Sequence, residues 1–219
     1  MTSFLTAERV EQAPAAHDTR RLRLFSGTAN QALARELAAR KDKKAIREVA
    51  QNLQNKDRRI QSDCIKVLYE IGYLEPGLIA AYAGDFLKLL GSPNNRLVWG
   101  GLIALSTIAS LKPDELYPHW RDIRAVMDTG TVIAVDAGIK TLAQVAAHSD
   151  AYRQVILPAL LEHLRTCRPQ SVAQHAEAIA VAEDANARAE FVKVLTRRLD
   201  DLTMAAANRV RRTMARAGE

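Results

Sequence analysis

Two cysteines and five histidines are the side chains of this sequence best suited to nucleophilic or metal chemistry. Cys64 and Cys167 lie about a hundred residues apart with no further cysteine beside either, so their spacing predicts neither a disulfide framework nor a cysteine zinc site. We expect both to be small buried residues. No two histidines stand one helical turn apart with a carboxylate to complete a metal triad, and His175 lies by itself in the sequence. The histidines are therefore predicted to lie at surfaces or interfaces, without a metal ion.

The short motifs of common enzyme classes are missing as well. The sequence contains no GxxxxGK[ST] or GxGxxG loop for phosphates, no GxSxG nucleophile turn and no HExxH zinc motif. We therefore predict no catalytic residue and no cofactor, and interpret the chain as a non-enzymatic protein.

Composition limits the class of protein and its predicted cellular location. The chain has 219 residues, of which 48% are hydrophobic, and this is enough to form a core. It has no apolar run of about 18 residues, and its N-terminus carries charges where a signal peptide would be apolar. We predict no membrane span and a cytoplasmic location. Pro14, scattered charges and no sustained period predict a flexible leader over residues 1–24.

Positive charge is concentrated at the two ends of the chain. Residues 1–47 hold ten Lys and Arg against five Asp and Glu, and residues 197–219 hold six against three. The stretch between them has a net charge of −2, although the whole chain has +6. A protein that follows a phosphate backbone along its length is expected to spread its basic residues over that surface. The charge pattern therefore limits predicted nucleic-acid contacts to the terminal segments.

The elements that must position these side chains are set by an internal repeat of 37 residues. Three rows of apolar residues recur at this interval: Ile65, Leu102, Ile139 and Ala176; Leu68, Leu105, Leu142 and Ile179; Ile71, Ile108, Val145 and Ala182. Within each repeat the three positions are spaced by three residues, which places them on one face of a helix. A first helix precedes each of these second helices, with start signals at Pro76, Pro113 and Ser149. Such helix pairs must stack to bury their apolar faces.

The segments at residues 87–110 and 157–182 resemble HEAT repeats, and the resemblance extends over residues 43–216. Pro118 and Pro158 match the proline of the first helix, while Gly101, Gly138 and Ala178 match the small residues where helices cross. The resemblance implies an all-α fold, an α-solenoid of about five helix pairs, which we place in a single domain over residues 25–219.

A second, shorter resemblance lies near the N-terminus. The segment LFSGTANQALARELA, residues 24–38, is similar to the opening of ribose-phosphate pyrophosphokinases. The chain then lacks the aspartate-rich phosphoribosyl loop and the alternating strands that such enzymes need. We therefore interpret this likeness as coincidental.

In HEAT-like proteins the second helices line the concave face, where partners bind. In the 37-residue register the exposed positions of the second helices vary in type and charge, and Trp99 stands among them, with Arg96 one turn before it and Asp136 in the next repeat. A large exposed aromatic residue is typical of a binding anchor. The predicted partner-binding residues are Arg59, Lys66, Arg96, Trp99, Asp136, Lys140, Gln144 and Glu177.

Two functions fit this surface. The first is a scaffold or adaptor that binds a protein partner on the concave face. The alternative is a DNA-binding helical-repeat protein, including an enzyme that resembles the alkylpurine DNA glycosylases. That resemblance implies that Asp136 stabilises an electron-poor sugar while Trp99 packs against the damaged base. The low charge between the ends favours the protein partner.

Overall fold

A computed structural model of the protein describes residues 27–216, and these residues contain helices and turns but no strand. The predicted leader at residues 1–24 lies outside them. Two compact units divide at Tyr82 and Ala83, and the prediction of one domain over residues 25–219 stays a prediction. No helix within residues 27–216 combines the length and the apolar character that crossing a membrane requires.

The first unit is built on one long helix. Helix α1 spans Gly27–Arg40, α2 spans Lys43–Gln51 and α3 spans Arg58–Leu74, with short 3-10 turns at Asn52–Gln54, Pro76–Leu78 and Ala80–Tyr82. Helix α3 packs against both α1 and α2. Two side-chain hydrogen bonds also join α1 to α3: Asn30 donates to Asp63 at 2.9 Å and Gln31 donates to Glu70 at 3.0 Å.

The second unit continues with helices in pairs. Its helices are α4 (Ala83–Lys88), α5 (Asn95–Ile108), α6 (Pro113–Leu116), α7 (Trp120–Thr129), α8 (Val132–Ala147), α9 (Asp150–Thr166), α10 (Pro169–Ile179), α11 (Arg188–Arg198) and α12 (Met204–Arg216). The 3-10 turns lie at Leu89–Gly91, Tyr117–His119, Ala180–Ala182 and Leu199–Asp201. The second helices of the pairs, α5, α8, α10 and α12, contact one another in that order.

Short polar side chains begin most of the long helices, and one of them is the predicted start signal Ser149. Each of these residues accepts a hydrogen bond from a backbone N–H in the first helical turn, a group that no helix carbonyl can reach. The capping residues are Asp42 for α2, Asp57 for α3, Asn94 for α5, Thr131 for α8 and Ser149 for α9.

Proline explains why two of the first helices are irregular. Pro118 follows α6, and the chain forms a 3-10 turn there before α7 starts, since proline has no N–H to continue an α-helix. Pro76 begins the broken stretch ahead of α4. Pro158 differs from the expected pattern because it lies in the middle of α9 rather than near its start.

The core confirms the 37-residue register. Leu68 in the first unit is fully buried, and Leu105, Leu142 and Ile179 are fully buried in the second. The residues of the other two rows are buried as well. The register slips by two residues in the last repeat, where Leu199 and Met214 follow Leu164 and Ile179 by 35 residues, and this slip falls in the loop between Ala182 and Arg188.

Glycines occupy two helix crossings of the second unit. A Cβ on Gly101 would lie 3.1 Å from the backbone oxygen of Phe86, and one on Gly138 would lie 2.4 Å from Cγ of Met127. Both glycines therefore serve as the predicted small crossing residues. Ala178, the third predicted position, is only half-buried.

Gly138→Ala should lower the free energy of unfolding by about 1 kcal/mol, because the strain of overpacking against Met127 exceeds the gain in helix propensity. Gly84→Ala in α4 is the matched control: the nearest atom to its Cβ would be 3.9 Å away, so this change should be neutral or stabilising. Urea unfolding of both variants measures the difference, and equal effects would contradict the tight crossing.

Candidate functional site

The structure places the predicted partner-binding residues on second helices, in two separate units. Arg59 and Lys66 lie on α3 in the first unit, so their membership of the surface stays a prediction. The remaining six lie on α5, α8 and α10 in the second unit. We call these six the second-helix face: Arg96, Trp99, Asp136, Lys140, Gln144 and Glu177.

Side chains of the second-helix face differ in exposure. Arg96, Lys140 and Glu177 are exposed, whereas Trp99 and Gln144 are half-buried. The intermediate exposure of Trp99 allows part of the indole to contact a partner while the rest packs against the protein. Its role as a binding anchor stays a prediction.

Glu177 on α10 is joined to the last helix by a bidentate ion pair. Its two carboxylate oxygens accept hydrogen bonds from Arg209 at 2.7 and 3.0 Å. This contact and the charges of Arg209, Arg212 and Arg216 hold the pKa of Glu177 below its usual value. Glu177, the only acidic residue of α10, is therefore paired with one exposed arginine of α12 and stabilised by the charges of two others.

Asp136 faces a buried histidine. Its Oδ1 lies 2.7 Å from Nε2 of His175, whose side chain is 2% exposed. The prediction that His175 is an isolated surface or interface histidine is therefore wrong. Its ring lies inside the packing between neighbouring helices.

His175 in turn contacts a second histidine. Its Nδ1 lies 3.0 Å from Nε2 of His163, which is on α9. In the tautomer in which Nε2–H of His175 donates to the Asp136 carboxylate, Nδ1 of His175 accepts the hydrogen bond from Nε2–H of His163. Burial, helped by the nearby charges of His175 and Arg124, lowers the pKa of His163 to about 4. His163 is therefore neutral at pH 7.

Cys167 completes this group, just after the end of α9. One ligand atom from each of His163, Cys167 and His175 can be chosen so that all three lie within 4.8 Å of one another. Among residues 27–216 this is the one such group of three suited to a metal ion.

Cys167 is half-buried, not fully buried as predicted, whereas Cys64 is buried as predicted. Burial raises the pKa of the Cys167 thiol, and Arg198 acts in the opposite direction.

Sequence reasoning missed this cluster because it searched for histidines paired with carboxylates along a single helix. His163 and Cys167 are four residues apart, which is the signal that was available. His175 comes from the following helix, and Asp136 comes from the preceding repeat, 39 residues earlier. We call His163, Cys167, His175 and Asp136 the His-Cys cluster.

No protein-family model matches this chain. A 39-residue segment is 72% identical to the ribose-phosphate pyrophosphokinase of Parasynechococcus marenigrum (strain WH8102) and 69% identical to that of Prochlorococcus marinus (strain MIT 9313). The match covers 18% of this chain and 12% of each enzyme. The interpretation of this likeness as a coincidence is therefore wrong, although the likeness extends over a small part of either protein.

Solved structures of designed proteins share the fold over most of the chain. A designed armadillo repeat protein in complex with the peptide (KR)4 is 13% identical, with a TM-score of 0.66 over 91% of this chain and 89% of that one. The chain has an armadillo/HEAT-type helical-repeat fold. Computationally designed armadillo repeat proteins for modular peptide recognition give a TM-score of 0.66 at 13% identity, covering 92% of this chain and 95% of theirs. An engineered protein gives 0.66 at 19% identity over 87% and 89%. These comparisons confirm the predicted HEAT-like α-solenoid.

Proposed function

We propose that the protein is a non-enzymatic scaffold or adaptor that binds a protein partner on the second-helix face. The observation that carries the proposal is the unbroken series of contacts between α5, α8, α10 and α12. Stacked repeats of this kind present side chains from successive helices on one extended surface. Such a surface suits an extended segment of another protein.

Charge suggests the chemistry of the partner. The two acidic residues of the second-helix face are already engaged, Asp136 with His175 and Glu177 with Arg209. Lys140 on α8 and the arginines of α12 are exposed, and among the latter Arg212 and Arg216 act on Glu177 through their charge while Arg209 pairs with it directly. A partner segment with acidic residues would complement these cations, and an apolar residue next to them would meet Trp99.

The comparisons support a peptide-binding role without specifying the ligand. One similar designed protein is in complex with a peptide, and another was designed for peptide recognition. That peptide, (KR)4, is basic, whereas we propose an acidic segment here. The hydrogen bond from His175 also occupies the Asp136 carboxylate, which favours a scaffold over the glycosylase-like alternative.

Trp99→Ala should weaken partner binding by about 2 kcal/mol, roughly 30-fold in Kd, since aromatic anchors dominate the binding energy of such surfaces. The probe is a fluorescent peptide selected from a random displayed library against the full chain, and its Kd is measured by anisotropy. We expect the selected peptides to be rich in Asp, Glu and apolar residues. The melting temperature should change little.

Trp120→Ala is the matched control, because Trp120 is also half-buried but lies on α7, a first helix. It should leave peptide binding unchanged. If Trp99→Ala leaves the Kd unchanged, or if the two variants weaken binding equally, the proposed surface is wrong. Duplex DNA is titrated in parallel: tight binding with a steep dependence on salt would support the nucleic-acid alternative instead.

A further inference from the structure

We propose that His163, Cys167 and His175 form a binding site for a divalent transition metal ion, Zn²⁺ by the nature of its ligands, with Asp136 orienting His175. The proposal rests on the geometry of these four side chains and does not depend on the proposed scaffold function. Two imidazoles and one thiolate are a ligand set that zinc accepts, and they leave one coordination position for water.

The distances are close to those that a metal ion requires. Tetrahedral zinc with usual bond lengths separates two nitrogen ligands by about 3.3 Å and a nitrogen from a sulfur by about 3.6 Å. His163 Nε2 and His175 Nδ1 are 3.0 Å apart, and the ligand atoms of the three residues lie within 4.8 Å of one another. Metal binding therefore needs only a small separation of the two rings and a small inward movement of Cys167.

The backbone brings these ligands together on adjoining segments. His163 lies in the last turn of α9 and Cys167 just after it, so a single short stretch supplies two ligands. His175 belongs to α10, which begins at Pro169 directly after the connecting turn. The loss of chain entropy on forming the site is small because the helices already hold these ligands close together.

Asp136 supplies the feature that distinguishes this group from a chance pair of histidines. A histidine that binds a metal through one nitrogen usually donates the other N–H to a carboxylate, which fixes the tautomer and the direction of the ring. The 2.7 Å contact between Asp136 Oδ1 and His175 Nε2 leaves Nδ1 of this buried ring directed at the proposed site. His175 is therefore oriented before any metal arrives.

Proton and charge balance are also satisfied. On binding, the Cys167 thiol releases its proton to solvent, and His163 binds the metal through Nε2 while its proton moves to Nδ1. The thiolate and the Asp136 carboxylate then offset the two positive charges of the ion. The nearby cations already have partners: Arg124 pairs with Asp128 at 2.8 Å and Arg198 with Asp201 at 2.8 Å.

The test is titration of the full, chelator-treated chain with Co²⁺, followed by displacement with Zn²⁺. We expect one ion per chain, the visible spectrum of tetrahedral cobalt and a sulfur-to-cobalt charge-transfer band, together with a higher melting temperature. Cys167→Ser should abolish the charge-transfer band, and His163→Gln should weaken binding at least 100-fold. Asp136→Asn should weaken binding 10- to 100-fold but retain the spectrum, as expected of a residue that acts through a ligand.

Two variants serve as matched controls. His119→Gln removes an exposed histidine that has its own carboxylate neighbour, Asp122 at 3.2 Å, and Cys64→Ala removes the other cysteine. Neither should change the affinity or the spectrum. Circular dichroism checks that each variant folds, and Cys167→Ser is the decisive one because its half-buried position tolerates a hydroxyl. The proposal would be overturned if cobalt bound without a charge-transfer band, or if the band survived in Cys167→Ser. It would also be overturned if the wild-type chain bound cobalt no more tightly than Cys167→Ser does.

Discussion

Arg198→Met should lower the free energy of unfolding by about 3 kcal/mol, one of the largest effects of any single change in this protein. The buried guanidinium donates hydrogen bonds to the backbone carbonyls of Leu164 and Cys167 and to the carboxylate of Asp201. The two carbonyls lie at the C-terminal end of α9, where no helical N–H remains to bond them and the helix dipole is negative. Methionine keeps most of the apolar stem but has no N–H donor, so both carbonyls would lose their hydrogen bonds to the guanidinium, and the Leu164 carbonyl would keep only the 3.8 Å contact from the Cys167 thiol.

The control for this experiment is the neighbouring residue. Arg197→Met makes the same substitution at an exposed position of the same helix, so it should change stability by less than about 0.5 kcal/mol. Arg198→Lys should fall between the two, because one ammonium group cannot reach both carbonyls and Asp201 in the arginine geometry. Urea unfolding with a chelator present measures all three changes. Equal stabilities of the Arg197 and Arg198 variants would show that this arginine does not cap α9.

The fold could be predicted from the sequence because the repeat consists of apolar residues that recur at a fixed interval. The row that contains Leu105 and Leu142 recurs at a fixed interval and is buried wherever it occurs. Helix starts at Asn94, Thr131 and Ser149 are local signals that act within one turn. Both kinds of information are present in short stretches of sequence, so neither depends on knowing how distant parts of the chain meet.

The side-chain contacts of Asp136 and Glu177 could not be predicted from the repeat register. The register aligns Asp136 with Ala173, but the carboxylate bonds His175, two residues further on. Glu177 aligns with Arg212 after the slip of the last repeat, but its ion pair is with Arg209. Long polar side chains extend along the neighbouring helix before they form a hydrogen bond. The register therefore predicts which helix supplies the partner but not which residue of that helix it is.

The contacts of Arg198 and of the His-Cys cluster could not be predicted from the sequence either. Arg198 donates to the carbonyls of residues 31 and 34 positions earlier in the chain. Every residue has a backbone carbonyl, so the sequence does not indicate which carbonyl an arginine will bond. In the cluster, the prediction for each histidine was made from its sequence neighbours, whereas its chemistry comes from Asp136 and from the adjoining helix. These features depend on how successive repeats pack together.

Leu142→Ala should lower the free energy of unfolding by about 3 kcal/mol, because a fully buried leucine loses its packing and leaves a cavity between helices. Leu111→Ala deletes the same atoms from a side chain that is 50% exposed, so it should cost less than about 1 kcal/mol. In a stacked repeat each pair of helices is stabilised by its neighbours, so the loss at Leu142 should also weaken amide-exchange protection in α5 and α10, which contact α8. Hydrogen exchange read by mass spectrometry checks this. A loss of protection confined to α8, or equal costs for the two leucines, would contradict the role of the buried row as a core shared between repeats.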